Sequence, residues 1–212
     1  MARIDDYKAA RALAQGELQK FNPKHLAGKS ASEYFLEGDH EGVIVPYFGQ
    51  PRRVSWPEVT VAGPEGAPEP PLTEQILILH YLQNTSGELP TGRTIDFRQV
   101  PQGSFYWSAF VSRAKKPLLE AFGHDLELYM EVAEKTGGVE QLLGDAAMQF
   151  VAFPLVPVTH VLWEGDAEFP PEGNILFDEN IASHLPTEDV AALAGASVYR
   201  LMALARQLKS NR

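Results

Sequence analysis

A chain of 212 residues with 44% hydrophobic content can bury one large core, and the lack of cysteine excludes disulfides, thiolate zinc sites, cysteine nucleophiles and cysteine-held iron–sulfur clusters. The net charge of −10 is concentrated: residues 1–135 hold 18 acids and 14 bases, residues 136–199 hold 10 acids with no Lys or Arg, and residues 200–212 hold four bases. Such a segment repels phosphate backbones and anionic lipid heads, so it argues against nucleic acid and membrane surfaces as partners, and it attracts a cation or a basic protein.

The opening stretch "MARIDDYKAARALAQGEL" carries Asp5 and Asp6 and no apolar core, so it reads as a helix of the mature protein and not as a signal peptide. That helix is expected from about Asp5 to Phe21, ended by "FNPKH". "GVIVPYFG" and "RRVSW" read as two strands joined by a Gly-Gln-Pro turn, and "GPEGAPEPP" as a Pro/Gly loop without regular structure. Thr73 is expected to cap "EQILILHYLQNT", which is apolar on nearly every face and therefore a buried helix. "TIDF" reads as a short strand, and Ser104 as the cap of "FYWSAFVSRAKK", stopped by Pro117. Asp125 to Thr136 is amphipathic, with Leu126, Tyr129, Met130 and Ala133 on one face and Gly137 and Gly138 as its stop. "MQFVAF" and "VTHVLW" are the clearest strands, and Thr187 heads a long last helix. The longest apolar runs are far below the ~20 residues of a membrane-spanning helix, so a cytoplasmic protein is expected.

This order, without regular alternation of strand and helix, predicts an α+β fold: a single domain over residues 1–212, an antiparallel or mixed sheet packed with about five helices, and a flexible Pro/Gly loop at 63–71.

The common chemical signatures are absent. "GKS" at Gly28–Ser30 lacks the upstream glycine of a phosphate-binding loop, since Pro23 stands there, and it follows a helix terminator instead of a strand. "EGDAEF" places oxygens at alternate positions, but Phe169 and Ile175 occupy the glycine and glutamate positions of a calcium loop.

What stands out is "VLWEGDAEFPPEGNILFDENIASHLPTED", residues 161–189, with eight carboxylates and no base. On an extended strand end Glu164, Asp166 and Glu168 would share one side at ~7 Å spacing, so a hard cation could gather two of them with help from Asp178. The alternative is a solvated turn. Glu188 and Asp189 fit the first turn of the last helix, where negative charge meets free amides. His160 lies on the strand leading into this stretch and His184 in a loop beside it, each either a structural histidine or a ligand. Phe105, Tyr106 and Trp107 cannot all face one side of a helix, so a flat ligand is a candidate there, with Arg93 and Arg98 nearby to receive an anionic group.

Together "LHYL", "TIDFRQVP", "GDAAMQFVAFPLVPV", "VLWEGDAEFP", "NILFD" and "LPTED" resemble an uncharacterised domain family of anaerobic bacteria and archaea, a domain of unknown function, over about Tyr7 to Leu204. In some members of that family the domain is fused to a four-cysteine iron–sulfur module like that of corrinoid iron–sulfur proteins. The resemblance thus implies a link to anaerobic one-carbon or corrinoid metabolism, and it carries no catalytic residues.

Three functional expectations follow. The first is a binding protein whose cofactor contacts are Trp163, Tyr106, Trp107 and Arg98, or whose metal ligands are drawn from Asp166, Glu168, Asp178, His160 and His184. Its cofactor would be a divalent metal or, through the resemblance, a corrinoid. The second is a divalent-cation-dependent hydrolase or transferase with His160 or His184 as general base. The third is an acidic interaction module that docks a basic protein partner.

Overall fold

The computed structural model describes residues 4–166 and 168–210, and these gather into two compact units between which the chain passes repeatedly. One unit comprises residues up to 89 with 153–155 and 183–186; the other comprises 90–152, 156–182 and the rest of the C-terminal segment. The fold is α+β, and each unit has its own sheet in which every strand pair of defined register is antiparallel.

In the first unit, α1 (Ile4–Leu18) and α2 (Pro23–Lys29) precede a four-stranded meander: β1 (Glu33–Glu37), β2 (His40–Tyr47), β3 (Gln50–Trp56) and β4 (Thr60–Ala62). "FNPKH" ends one helix and begins another. Asn22 accepts a hydrogen bond from the Lys24 amide, and Pro23 fills the first helical position, where no N–H is needed. The β2–β3 turn is two residues, Phe48 and Gly49, both with positive φ (46° and 73°), so Tyr47 pairs with Gln50 and Pro51 lies inside the strand instead of in the expected Gly-Gln-Pro turn. The loop at 63–71 contains no regular element.

Then α3 (Leu72–Asn84) buries Ile76, Leu77, Ile78, Leu79, Tyr81 and Leu82 and packs along α1, as its all-round apolarity predicts. Its N-cap is Pro71, and Thr73 lies in its first turn instead of capping it. The Tyr81 ring stacks on Phe153 at 4.3 Å.

The second unit opens with β5 (Thr94–Asp96), whose last residue forms a capping box with Gln99 over a single 3-10 turn. Next comes α4 (Gly103–Phe110), headed by Gln102 in the left-handed region instead of by Ser104. Pro117 does not stop this helix. A π-helical turn at Val111–Lys115 absorbs the missing N–H, and the helix continues as α5 (Lys116–Phe122). After α6 (Leu126–Lys135), capped by the Asp125 carboxylate on the Leu128 amide, come β6 (Val139–Glu140), β7 (Ala146–Phe153), β8 (Val156–Trp163), β9 (Glu172–Asp178) and the long α7 (Thr187–Ser210). The sheet order is β5-β9-β8-β7-β6.

Strand alternation divides this sheet into two faces. Val158, His160, Leu162, Ile175 and Phe177 are buried on one, and the His160 side chain meets Ser197 of α7 there. Pro157, Thr159, Val161, Trp163, Leu176 and Asp178 belong to the other. Where α7 crosses the π-turn the fit is tight: a Cβ on Gly195 would stand 3.0 Å from the Arg113 carbonyl oxygen.

Candidate functional site

The outer face of the second sheet carries a pocket of about 150 Å³, lined by Pro90, Gly92, Thr94, Gln149, Pro157, Thr159 and Asp178. Four neighbouring strands supply its polar groups because their register brings the same face together. Thr94 of β5 pairs with Asp178 of β9, and Thr159 of β8 lies across from Leu176. The amide of Gln149 on β7 donates to the Thr159 hydroxyl at 3.3 Å. Pro90, Gly92 and Pro157 form rigid, small walls.

Asp178 is the one charged group in the lining, and it is only 3% exposed. Burial pushes its carboxyl up. Donors at Thr91, Asn180 and Gly92 together outweigh burial and hold it below the usual carboxylate range, so it is ionised at neutral pH. Gly92 N–H donates to Oδ2 at 2.8 Å, Asn180 N–H to Oδ1 at 3.2 Å, and the Thr91 hydroxyl lies 3.2 Å from Oδ1. Arg93, adjacent in sequence to Gly92, is ion-paired with Glu179. What the pocket presents is thus a desolvated anion beside two hydroxyls and an amide, an arrangement that accepts hydrogen bonds from a donor-rich or cationic group.

The residues picked out from the sequence do not converge on one centre. Among the described residues no three His, Asp or Glu side chains are grouped to hold a metal ion. Asp166 turns its Oδ1 onto the amides of Glu168 and Phe169, each at 2.8 Å, which lowers its carboxyl below the ordinary value and commits it to its own loop. Glu168 lies exposed in that loop.

His160 is fully enclosed on the opposite face from Asp178. Ser197 Oγ donates to the Ala194 carbonyl and so accepts from His160 Nε2 at 2.8 Å; burial alone pulls the imidazole down to about 3 and keeps it neutral. The ring presents no surface to solvent. His184 belongs to the first unit, buried with its Nδ1 2.8 Å from the Thr85 hydroxyl.

Of the expected cofactor contacts, the Arg98 guanidinium stands 4.0 Å over the Trp107 ring, while Trp107 stacks on Phe110 and Phe110 on Phe97. Trp107 therefore extends a core aromatic stack, and Arg98 covers it by a cation–π contact. Tyr106 is half-buried against Phe105. Trp163 pairs with Glu172, four positions along β9 from the Leu176 that faces Asp96, which puts it ~13 Å along the strand from the Arg98 turn. One sequence signal for the pocket existed: Gln149 is the one polar residue of β7, and Thr159 with His160 are the polar residues of β8.

The family model for DUF3786, a domain of unknown function, matches residues 23–200, and the chain belongs to that family. No curated protein and no solved structure matches it.

Proposed function

We propose that this member of DUF3786 is a small-molecule-binding protein whose site is the Asp178 pocket, and that its ligand carries a protonated amine or an equivalent donor-rich head. The observation that carries this reading is a carboxylate 3% exposed, held ionised, forming the wall of a cavity that also offers Thr94, Thr159 and Gln149. A cationic head would meet Asp178, and the threonine hydroxyls and the Gln149 carboxamide would fix its orientation. A cavity of about 150 Å³ holds on the order of five waters. It suits a ligand of amino-alcohol or small-amine size and is far too small for a corrin ring. Any link to corrinoid metabolism would then run through a partner protein. The binder is favoured over the hydrolase because His160 and His184, the expected general bases, are both fully buried, with ring nitrogens bonded to Ser197 and Thr85.

The test is a thermal-shift screen of the full chain against small primary amines, amino alcohols, their neutral alcohol counterparts, potassium and magnesium. A bound amine raises the melting temperature by mass action. The shift should be lost in Gln149→Leu and in Thr159→Val, neither of which removes the charge that organises the turn. A panel in which no amine stabilises the protein, or an amine shift that both variants retain, refutes the pocket as the site.

A further inference from the structure

At the far end of β8, four residues and ~13 Å along the strand from Thr159 of the pocket, the second unit exposes several large apolar side chains. Leu142 is fully exposed, Phe169 is 68% exposed, Trp163 43% and Leu143 44%. Two loops hold them in place. In the first, residues 141–145, Gly144 takes φ +57° against β8, where a Cβ would meet the Leu162 carbonyl oxygen at 2.6 Å and the Trp163 ring at 3.4 Å. The Asp145 amide donates to Leu162 O at 2.9 Å, and its carboxylate accepts from the Glu164 amide at 2.8 Å.

In the second loop the Asp166 amide donates to Phe169 O, and Asp166 Oδ1 accepts from Glu168 and Phe169. Leu142 and Leu143 therefore stand on a loop pinned beside Trp163, and Phe169 on a loop anchored three residues from it. Grouped exposure of this kind marks an interaction surface.

The charge around it specifies the partner. Glu140, Asp145, Glu164, Asp166 and Glu168 lie in these same two loops and the adjoining edge strand, within the segment that has no Lys or Arg. Lys115, which reaches Glu172 opposite Trp163, is already engaged by that carboxylate. A second copy of the chain meeting this face symmetrically would set acid against acid. Anionic lipid and nucleic acid are repelled for the same reason.

We propose that this face is a docking site for a basic segment of a different protein, one that buries apolar anchors against Leu142, Leu143 and Trp163 while its Lys and Arg side chains meet the acidic rim. The contact is independent of the pocket, and it follows the pattern of an apolar centre inside a charged border that sets partner choice and on-rate.

The experiment titrates the full chain with two synthetic amphipathic helices of equal apolar content, one bearing Lys and the other Glu on its polar face, followed by tryptophan fluorescence and calorimetry. The Lys peptide binds, the Glu peptide does not, and affinity falls as salt rises. Leu142→Ser with Leu143→Ser weakens binding about tenfold or more, as expected for loss of central anchors. Leu36→Ser, at an exposed leucine on β1, leaves it unchanged. Binding that ignores the 142/143 change, or equal binding of both peptides, overturns the proposal. So does a dimer in sedimentation that the 142/143 change dissociates, since that makes the occupant a second copy.

Discussion

His160 couples folding to pH through one proton. The unfolded imidazole titrates near its ordinary value of about 6.5, whereas burial holds the folded one neutral down to about 3. Between those values the unfolded chain binds a proton that the folded chain refuses, so stability falls as pH drops through that window. Chemical denaturation at pH 7 and pH 5 should show wild type losing more stability than His160→Gln; parallel losses would remove His160 from the account. Asp178 acts in a separate range. Its folded pKa is depressed, so its contribution is complete above the unfolded value of about 3.9 and is lost below it. At pH 7, Asp178→Asn should cost about 1–3 kcal/mol in urea denaturation, because the Gly92 and Asn180 amides and the Thr91 hydroxyl lose an ionised acceptor. Both residues were visible in the sequence as candidates for one site. The structure puts them on opposite faces because "NILFD" forms strand β9, and its register with β8 decides which residues share a side. Five residues among acids and prolines carry too little periodicity to reveal that strand.

At the scale of the element, Pro117 shows why a breaker in the sequence is not always a break in the chain. A single π-turn accommodates the ring and the lost N–H, so that α4 and α5 form one path over α7. The crossing needs Gly195. Gly195→Val should destabilise by roughly 1–3 kcal/mol, because its side chain meets the Arg113 backbone and not a flexible side chain. Gly16, inside α1 with open space around it, is the control: Gly16→Ala should stabilise by about 0.5–1 kcal/mol through helix propensity. Urea midpoints of the two variants check both signs. Long periodic helices such as α3, α6 and α7, and the strands β7 and β8, were legible from apolar spacing. The seven-residue α2, the short β1 and β4 and the two-residue β6 were not, since elements of that length are fixed by their partners.

On the scale of the whole molecule, the two compact units are not successive segments: residues 153–155 and 183–186 of the first interrupt the second. We propose that a chain interleaved in this way unfolds as one domain, with far-ultraviolet circular dichroism and tryptophan emission following a single coincident transition; two separated transitions would assign each unit its own stability. The charge asymmetry, fully legible in the sequence, marks the region of both the pocket and the apolar-acidic face, but only strand register and loop geometry separate the two. Asp178 and its pocket are the centre of the proposed function. The most direct test is a two-dimensional amide NMR titration of the full chain with the amine that gives the largest thermal shift, against its neutral alcohol counterpart. The Gly92 amide, which donates to Asp178, should shift in a saturable way together with Thr94, Thr159 and the Gln149 side-chain amide. Shifts that leave these four groups unmoved, or that the neutral alcohol reproduces in full, would contradict it.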